Sequence, residues 1–472
     1  MERQNLVTSN VAVYLLLFYF QNFSKYCACK KGGTIMSKPV SNVEHYGYTE
    51  AEEKVFHKYT IRMLIGFSLL YIFFYNGRQN MNLAIPLMIE DFQVTKADMG
   101  IVTSALFWCY GFGHLFSGRL GEIIGTKRFI FWGVVLSALL NFIISFQTSL
   151  IVIAILWGIN GFAQSMAWSP GVSLTNKWWP KDKRGYASGI ITGASGLAQV
   201  ATYFCVLAAY AISPNTSWRA AFRWPLIPMI IILVVFVIFV KNEPKDVGLK
   251  DFEEPDTETA KLEAQRMAEL KEKGAIYPFI CLLKEPKMCV FLFIIAIGGI
   301  GRYGLLTWIP TYFSEALHMD IEQGIFSSVL LPVGQAVAFF LMPYLTDKIF
   351  KGRREPLLIV CGVVSAVSLV LFPRITSQFA ASAMLFVVGL FSSVNGIVWA
   401  FAGDIGTRAF AETATGLLDW AAYMGAAVQS ILFGYVSGYS WNAVFITIAV
   451  LYIMLILLAL SAKNMKVRGT AQ

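Results

Sequence analysis

GRQNMNLAIP at 77–86 and GRYGLLTWIP at 301–310 both open on Gly-Arg and close on Ile-Pro at the same spacing. They lie 224 residues apart (301 − 77). A second pair keeps nearly that offset: GRLGEIIGTKR at 118–128 and PYLTDKIFKGRR at 343–354, 225 residues apart (343 − 118). Each of these has an acid, Glu122 or Asp347, four residues in, followed by a basic cluster. Two unrelated signatures at nearly one offset argue for a duplicated unit.

The surrounding sequence says what that unit is. A membrane helix needs about 20 mostly apolar residues. Such stretches fall near 63–90, 99–120, 128–147, 150–172, 186–211, 224–241, 288–312, 323–345, 356–373, 378–402, 413–437 and 442–462. These twelve form two groups of six, an all-α integral membrane chain with two pseudo-symmetric six-helix bundles at 61–241 and 288–465. Between them 242–287 is a charged linker, with a short exposed helix expected at 257–273. Duplicated halves joined this way are the pattern of secondary transporters, whose substrate site lies between the halves at mid-membrane.

Composition excludes the other classes. The 472 residues are 56% hydrophobic and only 14% charged, against about 45–50% and about 25% in soluble domains. Thirty-seven Phe, 20 Tyr and 12 Trp exclude a disordered chain. Seven Cys are too sparse for a disulfide scaffold, and Cys109, Cys205, Cys289 and Cys361 sit in apolar runs, as small hydrophobes do. The net charge of +9 does not point to nucleic acid, because membrane chains concentrate Lys and Arg in cytoplasmic loops. One set of alternate loops holds Arg119, Lys127, Arg128, Lys177, Lys181, Lys183, Arg184, Lys348, Lys351, Arg353, Arg354 and Arg408; the other holds Lys96, Arg219, Arg223 and Arg374. The richer set belongs inside, which puts the linker and both termini, 1–60 and 466–472, in the cytoplasm of a plasma or inner-membrane protein. Residues 11–20, VAVYLLLFYF, are apolar but short for a span. They read as part of a dispensable extension with Met36 as the working start, and a protein made from Met36 should transport.

Arg78 lies about fifteen residues past Arg62, near the inner edge of the first apolar run, hence roughly 22 Å into the membrane. Arg302 holds the equivalent place in the seventh span. Each costs at least about 2.5–3.5 kcal/mol to insert. Two at equal depth should face a wet cavity and each other. No acid in either span is close enough to neutralise them, so the expected partner is a diffusible anion, whose phosphate or carboxylate matches the guanidinium fork. A fixed partner such as Asp419 is the alternative.

The chain resembles the major facilitator superfamily over nearly all of 60–465, through GRLGEIIGTKR, which is similar to the superfamily's cytoplasmic loop signature. Within it, YNGRQNMNLAIPLM, GFAQSMAWSPGVSLTNKWWPKDKRG, SWRAAF, NEPKDVGL and GRYGLLTWIPTYF look most like the organophosphate:phosphate antiporters. The resemblance implies the twelve-helix major facilitator fold and a small anionic substrate, with inorganic phosphate as counter-substrate. It maps that family's two anion-binding arginines onto Arg78 and Arg302, its tyrosines onto Tyr71 and Tyr75, and its span-four glutamine and tryptophan onto Gln164 and Trp168. The surroundings differ: His114 stands where Lys is common, Ser195 for a span-five His, Thr307 and Pro332 for acids, and Asp419 for a small residue.

His114 is either a third cation or a neutral hydrogen-bonding group between helices. Asp419 either carries a proton, pairs with Arg or His114, or is a helix-end acid. Tyr71, Tyr75, Gln164, Ser195 and Asn395 are candidate donors to phosphate or hydroxyls, with helix packing as the alternative. Trp168 and Trp308 read as aromatic filling. Glu122 with Lys127 and Arg128, and Asp347 with Lys348 and Arg353, are expected to latch the cytoplasmic ends as gates. Asn215-Thr216-Ser217 matches a glycosylation sequon. There is no GxxxxGKS/T loop, so ATP is not the direct driver. His45, His57, His114 and His318 lack metal-ligand spacing, so no metal or cofactor is expected. The expectation is a monomeric secondary transporter, not an enzyme. It exchanges a phosphorylated metabolite such as glycerol phosphate, a sugar phosphate or phosphoglycerate for phosphate. A proton-coupled carboxylate symporter and a sugar-phosphate sensor built on a transporter fold are the alternatives.

Overall fold

A computed structural model describes residues 48–180, 183–213, 217–250, 273, 276–402 and 408–465, without the side chains of 408–412. The extension with its Met36 start, most of the 257–273 helix, Lys181, Asn215-Thr216, the Arg408 side chain and the 466–472 tail lie outside these residues.

The chain is helical throughout the described membrane region. The N-terminal half contains α1 (Glu50–Phe92), α2 (Lys96–Ile124), α3 (Thr126–Ile144), α4 (Leu150–Trp178), α5 (Arg184–Ile212) and α6 (Ala220–Phe239). The C-terminal half contains α7 (Pro286–Ala316), α8 (Ile321–Lys348), α9 (Glu355–Arg374), α10 (Gln378–Ala402), α11 (Arg408–Tyr439) and α12 (Trp441–Ala462). Among the described residues all but α11 are apolar and long enough to cross a bilayer; α11, at 32 residues, is ample in length. Two helices start on capping boxes: Thr49 with Glu52, and Thr95 with Asp98.

The sequence repeat recurs in the packing. A Cβ placed on Gly161 of α4 would strike the carbonyl of Leu106 in α2, and one on Gly389 of α10 would strike that of Leu331 in α8. Leu106 and Leu331 are 225 residues apart (331 − 106), the offset of the loop signatures. Without a hydrophobic force between helices in lipid, such small-residue contacts let backbones approach.

The halves meet along α2 with α11 and α5 with α8. At the end where α2 begins, Lys96 Nζ of the N-terminal half donates to Glu315 Oε2 of α7 at 2.5 Å. Trp441 Nε1 of α12 donates to the same oxygen at 3.2 Å. Beside this clasp Gly100 lies against the Ser430 carbonyl, and Gly434 against that of Lys96. The same end is braced within the N-terminal half by Asp91, which accepts from Trp218 Nε1 at 2.7 Å and Arg219 Nη1 at 2.9 Å. At the opposite end, which carries the linker, open space borders Gly185 and Gly189 on α5 and Gly416 on α11. The interface is therefore clasped at the Lys96 end.

Candidate functional site

The site begins where α1 breaks. Its two segments, Glu50–Phe74 and Asn76–Phe92, meet at Tyr75. The Arg78 N–H reaches back only to the Tyr75 carbonyl, at 3.0 Å, three residues away instead of the four of a regular α-helix. This tight turn leaves the Phe74 carbonyl without its usual backbone donor, and Gln164 Nε2 supplies one at 3.2 Å.

Arg78 is buried, and its guanidinium covers the Tyr75 ring at 3.8 Å and the Tyr110 ring at 4.9 Å. Its Nε and Nη2 have no hydrogen-bond partner among the described residues. Arg302, equally buried in α7, lies 4.8 Å from the Phe339 ring and 5.1 Å from the Tyr303 ring, and its Nε donates to Gln335 Oε1 at 3.3 Å. Rings join the two arginines: Tyr110 meets Tyr423 at 4.3 Å, and Tyr423 meets Tyr303 at 5.6 Å. Among the described residues neither arginine has a carboxylate oxygen within 4.0 Å.

A small cavity, with room for about one water, is lined by Tyr71, Tyr75, Trp168, Ser195, Arg302, Tyr303, Phe339, Trp399, Asp419 and Tyr423. It draws on both halves. Arg302 reaches it directly, while Arg78 stands behind Tyr75. Asp419 is also buried, with no basic nitrogen within 4.0 Å among the described residues.

The remaining candidate residues divide. Tyr71 packs on Tyr75 and Trp168 at the cavity wall. Ser195 lines the cavity, though its hydroxyl donates to the Thr192 carbonyl at 2.6 Å. His114 lies 4.5 Å from Tyr110, with Nε2 unpartnered among the described residues. Asn395 is buried with an unpartnered Oδ1 and is absent from the cavity wall as described. Gln164 differs from its reading as a substrate donor: its amide is taken up by the Phe74 carbonyl and by Ser137 Oγ at 2.8 Å. The latch pairs differ as well. Glu122 accepts from Arg119 at 2.9 Å, because an i,i+3 spacing stacks the two on one helix face. Asp347 accepts from Arg354 at 2.9 Å. Lys127 Nζ turns to the Val237 carbonyl, Arg128 borders a neighbouring groove, and Lys348 and Arg353 are exposed. Neither ion pair spans the two halves; the cross-half ion pair described above is Lys96–Glu315.

Tyr110, Tyr303, Phe339, Trp399, Tyr423 and Gln335 were not singled out in the sequence. A signal existed, since the repeat offset carries Tyr110 onto Gln335 (335 − 110 = 225), so equivalent positions of α2 and α8 attend the two arginines. Ser195 of α5 and Asp419 of α11, one from each half, both line the cavity.

Two like bundles sharing a small cavity beside buried guanidinium groups define a polytopic membrane protein. The chain belongs to the Major Facilitator Superfamily, whose model matches residues 67–418. It is 24% identical over 452 residues to a Chlamydia pneumoniae protein named "Probable hexose phosphate transport protein", covering 92% of this chain and 97% of that one. It is 26% identical over 424 residues to the glycerol-3-phosphate transporter of Bacillus subtilis, covering 87% and 93%. In fold it is similar to a bacterial homologue of the human lysosomal transporter Spinster in an inward-facing conformation, with a TM-score of 0.72 at 14% identity over 86% of this chain and 97% of that one.

Proposed function

We propose that this protein exchanges a small phosphorylated metabolite for inorganic phosphate by alternating access, with Arg78 and Arg302 gripping the anion. The observation behind this reading is the pair of buried guanidinium groups, one from each half, with no carboxylate oxygen within 4.0 Å among the described residues. Burying an unpaired charge is costly, and an anion arriving between the halves would relieve that cost at both arginines at once. It would draw the bundles together and lower the barrier to switching. The names of the hexose-phosphate and glycerol-3-phosphate relatives support a phosphate ester as cargo. The excess of basic loops at the linker end supports a cytoplasmic linker and termini in a cell or inner membrane. The Lys96 end is then the outer one. The chain works as a monomer of two bundles joined by 242–287.

The test is exchange by proteoliposomes preloaded with phosphate, offered glycerol phosphate, hexose phosphates, phosphoglycerate or simple carboxylates. Arg78→Lys or Arg302→Lys should abolish phosphate exchange with the protein still folded and inserted, because a point-charge ammonium cannot reproduce the paired fork. Retained exchange in both variants would make the arginines structural. A sensor would bind a sugar phosphate without exchanging it. One observation favours a second reading, proton-coupled carboxylate uptake: Asp419 lines the same cavity as Arg302. Transport that needs no internal phosphate, and whose pH dependence vanishes in Asp419→Asn, would establish it.

A further inference from the structure

The break in α1 is held by a buried cluster of polar side chains. Asn160 Nδ2 donates to the Gly77 carbonyl at 2.7 Å, and Asn141 Nδ2 to the same oxygen at 3.0 Å. Ser137 Oγ donates to Asn160 Oδ1 at 2.7 Å and accepts from Gln164 Nε2 at 2.8 Å. Gln164 Nε2 also reaches the Phe74 carbonyl. All four side chains are buried. The cluster thus grips the carbonyls on either side of the break, and the residue after the second one is Arg78. Gly77 is the seat: a Cβ there would lie 2.6 Å from Ser137 Oγ and 2.7 Å from Gln164 Nε2.

The fold does not demand this cluster. The α4-to-α10 correspondence that carries Gly161 onto Gly389 (389 − 161 = 228) carries Asn160 onto Val388 and Gln164 onto Ser392. In that half the glycine before the arginine, Gly301, is approached by the Tyr452 ring and hydroxyl, and the Tyr452 hydroxyl donates to the Ser392 carbonyl at 2.9 Å. There Arg302 sits inside a continuous helix, Pro286–Ala316. That half therefore builds the same architecture without carboxamides at these two positions and without a break.

We propose that Ser137, Asn141, Asn160 and Gln164 are positioning residues: by clamping the Phe74 and Gly77 carbonyls they hold the break in α1 and so set where the Arg78 guanidinium stands. Without the clamp the turn reverts toward a regular helix. The Arg78 N–H then moves from the Tyr75 carbonyl to that of Phe74, and the guanidinium slides off the Tyr75 ring. The consequence for transport rests on Arg78 being an anion grip; the clamp itself does not.

Two measurements separate those claims. Asn160→Val and Gln164→Ser install the residues that the other half carries, and Ser137→Ala is a milder change should either variant fold poorly. The half-saturation for inorganic phosphate in preloaded proteoliposomes should rise about 10- to 100-fold, since a shift of about 1 Å in a binding group has that effect. The maximal exchange rate per folded transporter should fall far less. A loss confined to protein yield or maximal rate, with half-saturation unmoved, would follow from a merely structural role. The second readout places Arg78→Cys in a background stripped of the seven native cysteines and follows its reaction with 2-aminoethyl methanethiosulfonate. Adding Asn160→Val should change that rate at least fivefold. An unchanged rate overturns the clamp. A changed rate with an unmoved phosphate half-saturation upholds the clamp and refutes Arg78 as the anion grip.

Discussion

Replacing Glu315 by Gln should tip the transporter toward a form open at the Lys96 end. Lys96 and Glu315 join the halves at 2.5 Å, with side-chain exposures of 18% and 35%. A fully exposed pair would be worth about 0.2–1 kcal/mol, and a hydrogen bond to a charged group about 1.5–3 kcal/mol. Partial burial places this clasp between them, at about 1–2 kcal/mol, which is a 5- to 30-fold change in an equilibrium. The pair exists only while the Lys96 end is shut, so its loss acts on one state of the cycle. The assay is the reaction rate of a cysteine introduced at a cavity position, labelled from the Lys96 side with an impermeant reagent. Glu315→Gln and Lys96→Met should each raise it about 5- to 30-fold, and the double variant should add little, because both remove one interaction. Raising salt from about 0.1 to 1 M, which shortens the screening length from about 10 to 3 Å, should move the parent part of the way. Strict additivity of the two substitutions, to within about 0.5 kcal/mol, would show that the two groups do not act on each other. An unchanged labelling rate would show that the clasp does not govern closure.

Gly434→Val should leave the outer end unable to close, since even a Cβ there would lie 2.6 Å from the Lys96 carbonyl; exchange should drop more than about 10-fold, as backbone cannot yield as a side-chain tip does. Asp419→Asn should tighten phosphate binding by roughly 30-fold, because one negative charge at about 8 Å is worth about 2 kcal/mol at an effective dielectric of about 20; competition against a labelled phosphate ester measures it, and unaltered affinity would remove Asp419 from the anion's surroundings. Asp91→Asn weakens the bonds from Trp218 and Arg219, so melting of the purified protein should show a loss of about 1 kcal/mol with the phosphate half-saturation unmoved.

The twelve helices and the twin halves were legible because lipid imposes one rule on every span, and the offset near 224–225 could be counted on the chain. The buried arginines were legible for the same reason: an ion inside an apolar run stands out against its cost. What sequence hid was partnership. Gln164 reads as a donor for cargo until the tight turn at Tyr75 frees the Phe74 carbonyl, a local backbone event that no periodicity announces. In sequence, Glu122 and Asp347 pair with the bases that follow them in the chain. In space they take Arg119, already above Glu122 on its own helix, and Arg354, brought round by the turn into α9. Lys96 reads in sequence only as a loop charge. It was one of just four bases in the poorer loop set, and a base retained where bases are scarce was the signal to ask for its acid.

The repeat carries one more step. Internal duplication makes a symmetric vessel, and the chemistry of the site lies in the departures from that symmetry. Ser195 and Asp419 line the cavity from opposite halves, one neutral and one an acid. Tyr110 and Gln335 attend equivalent arginines, one as a ring beneath the cation and one as an acceptor. Arg78 follows a clamped break, while Arg302 lies in a continuous helix. Each exchange leaves the Arg302 side better supplied with acceptors and the Arg78 side bare. An anion entering the chamber therefore meets unequal grips, and Arg78, with Nε and Nη2 unpartnered among the described residues, has the more to gain from it. On that ground the guanidinium whose loss weakens binding most is Arg78, whereas removing Arg302 also leaves Gln335 Oε1 without its donor. Comparison of Arg78→Gln with Arg302→Gln should therefore show the larger affinity loss in the first and the larger loss of thermal stability in the second, and the reverse order would mean that the acceptors around Arg302 belong to the cargo's grip.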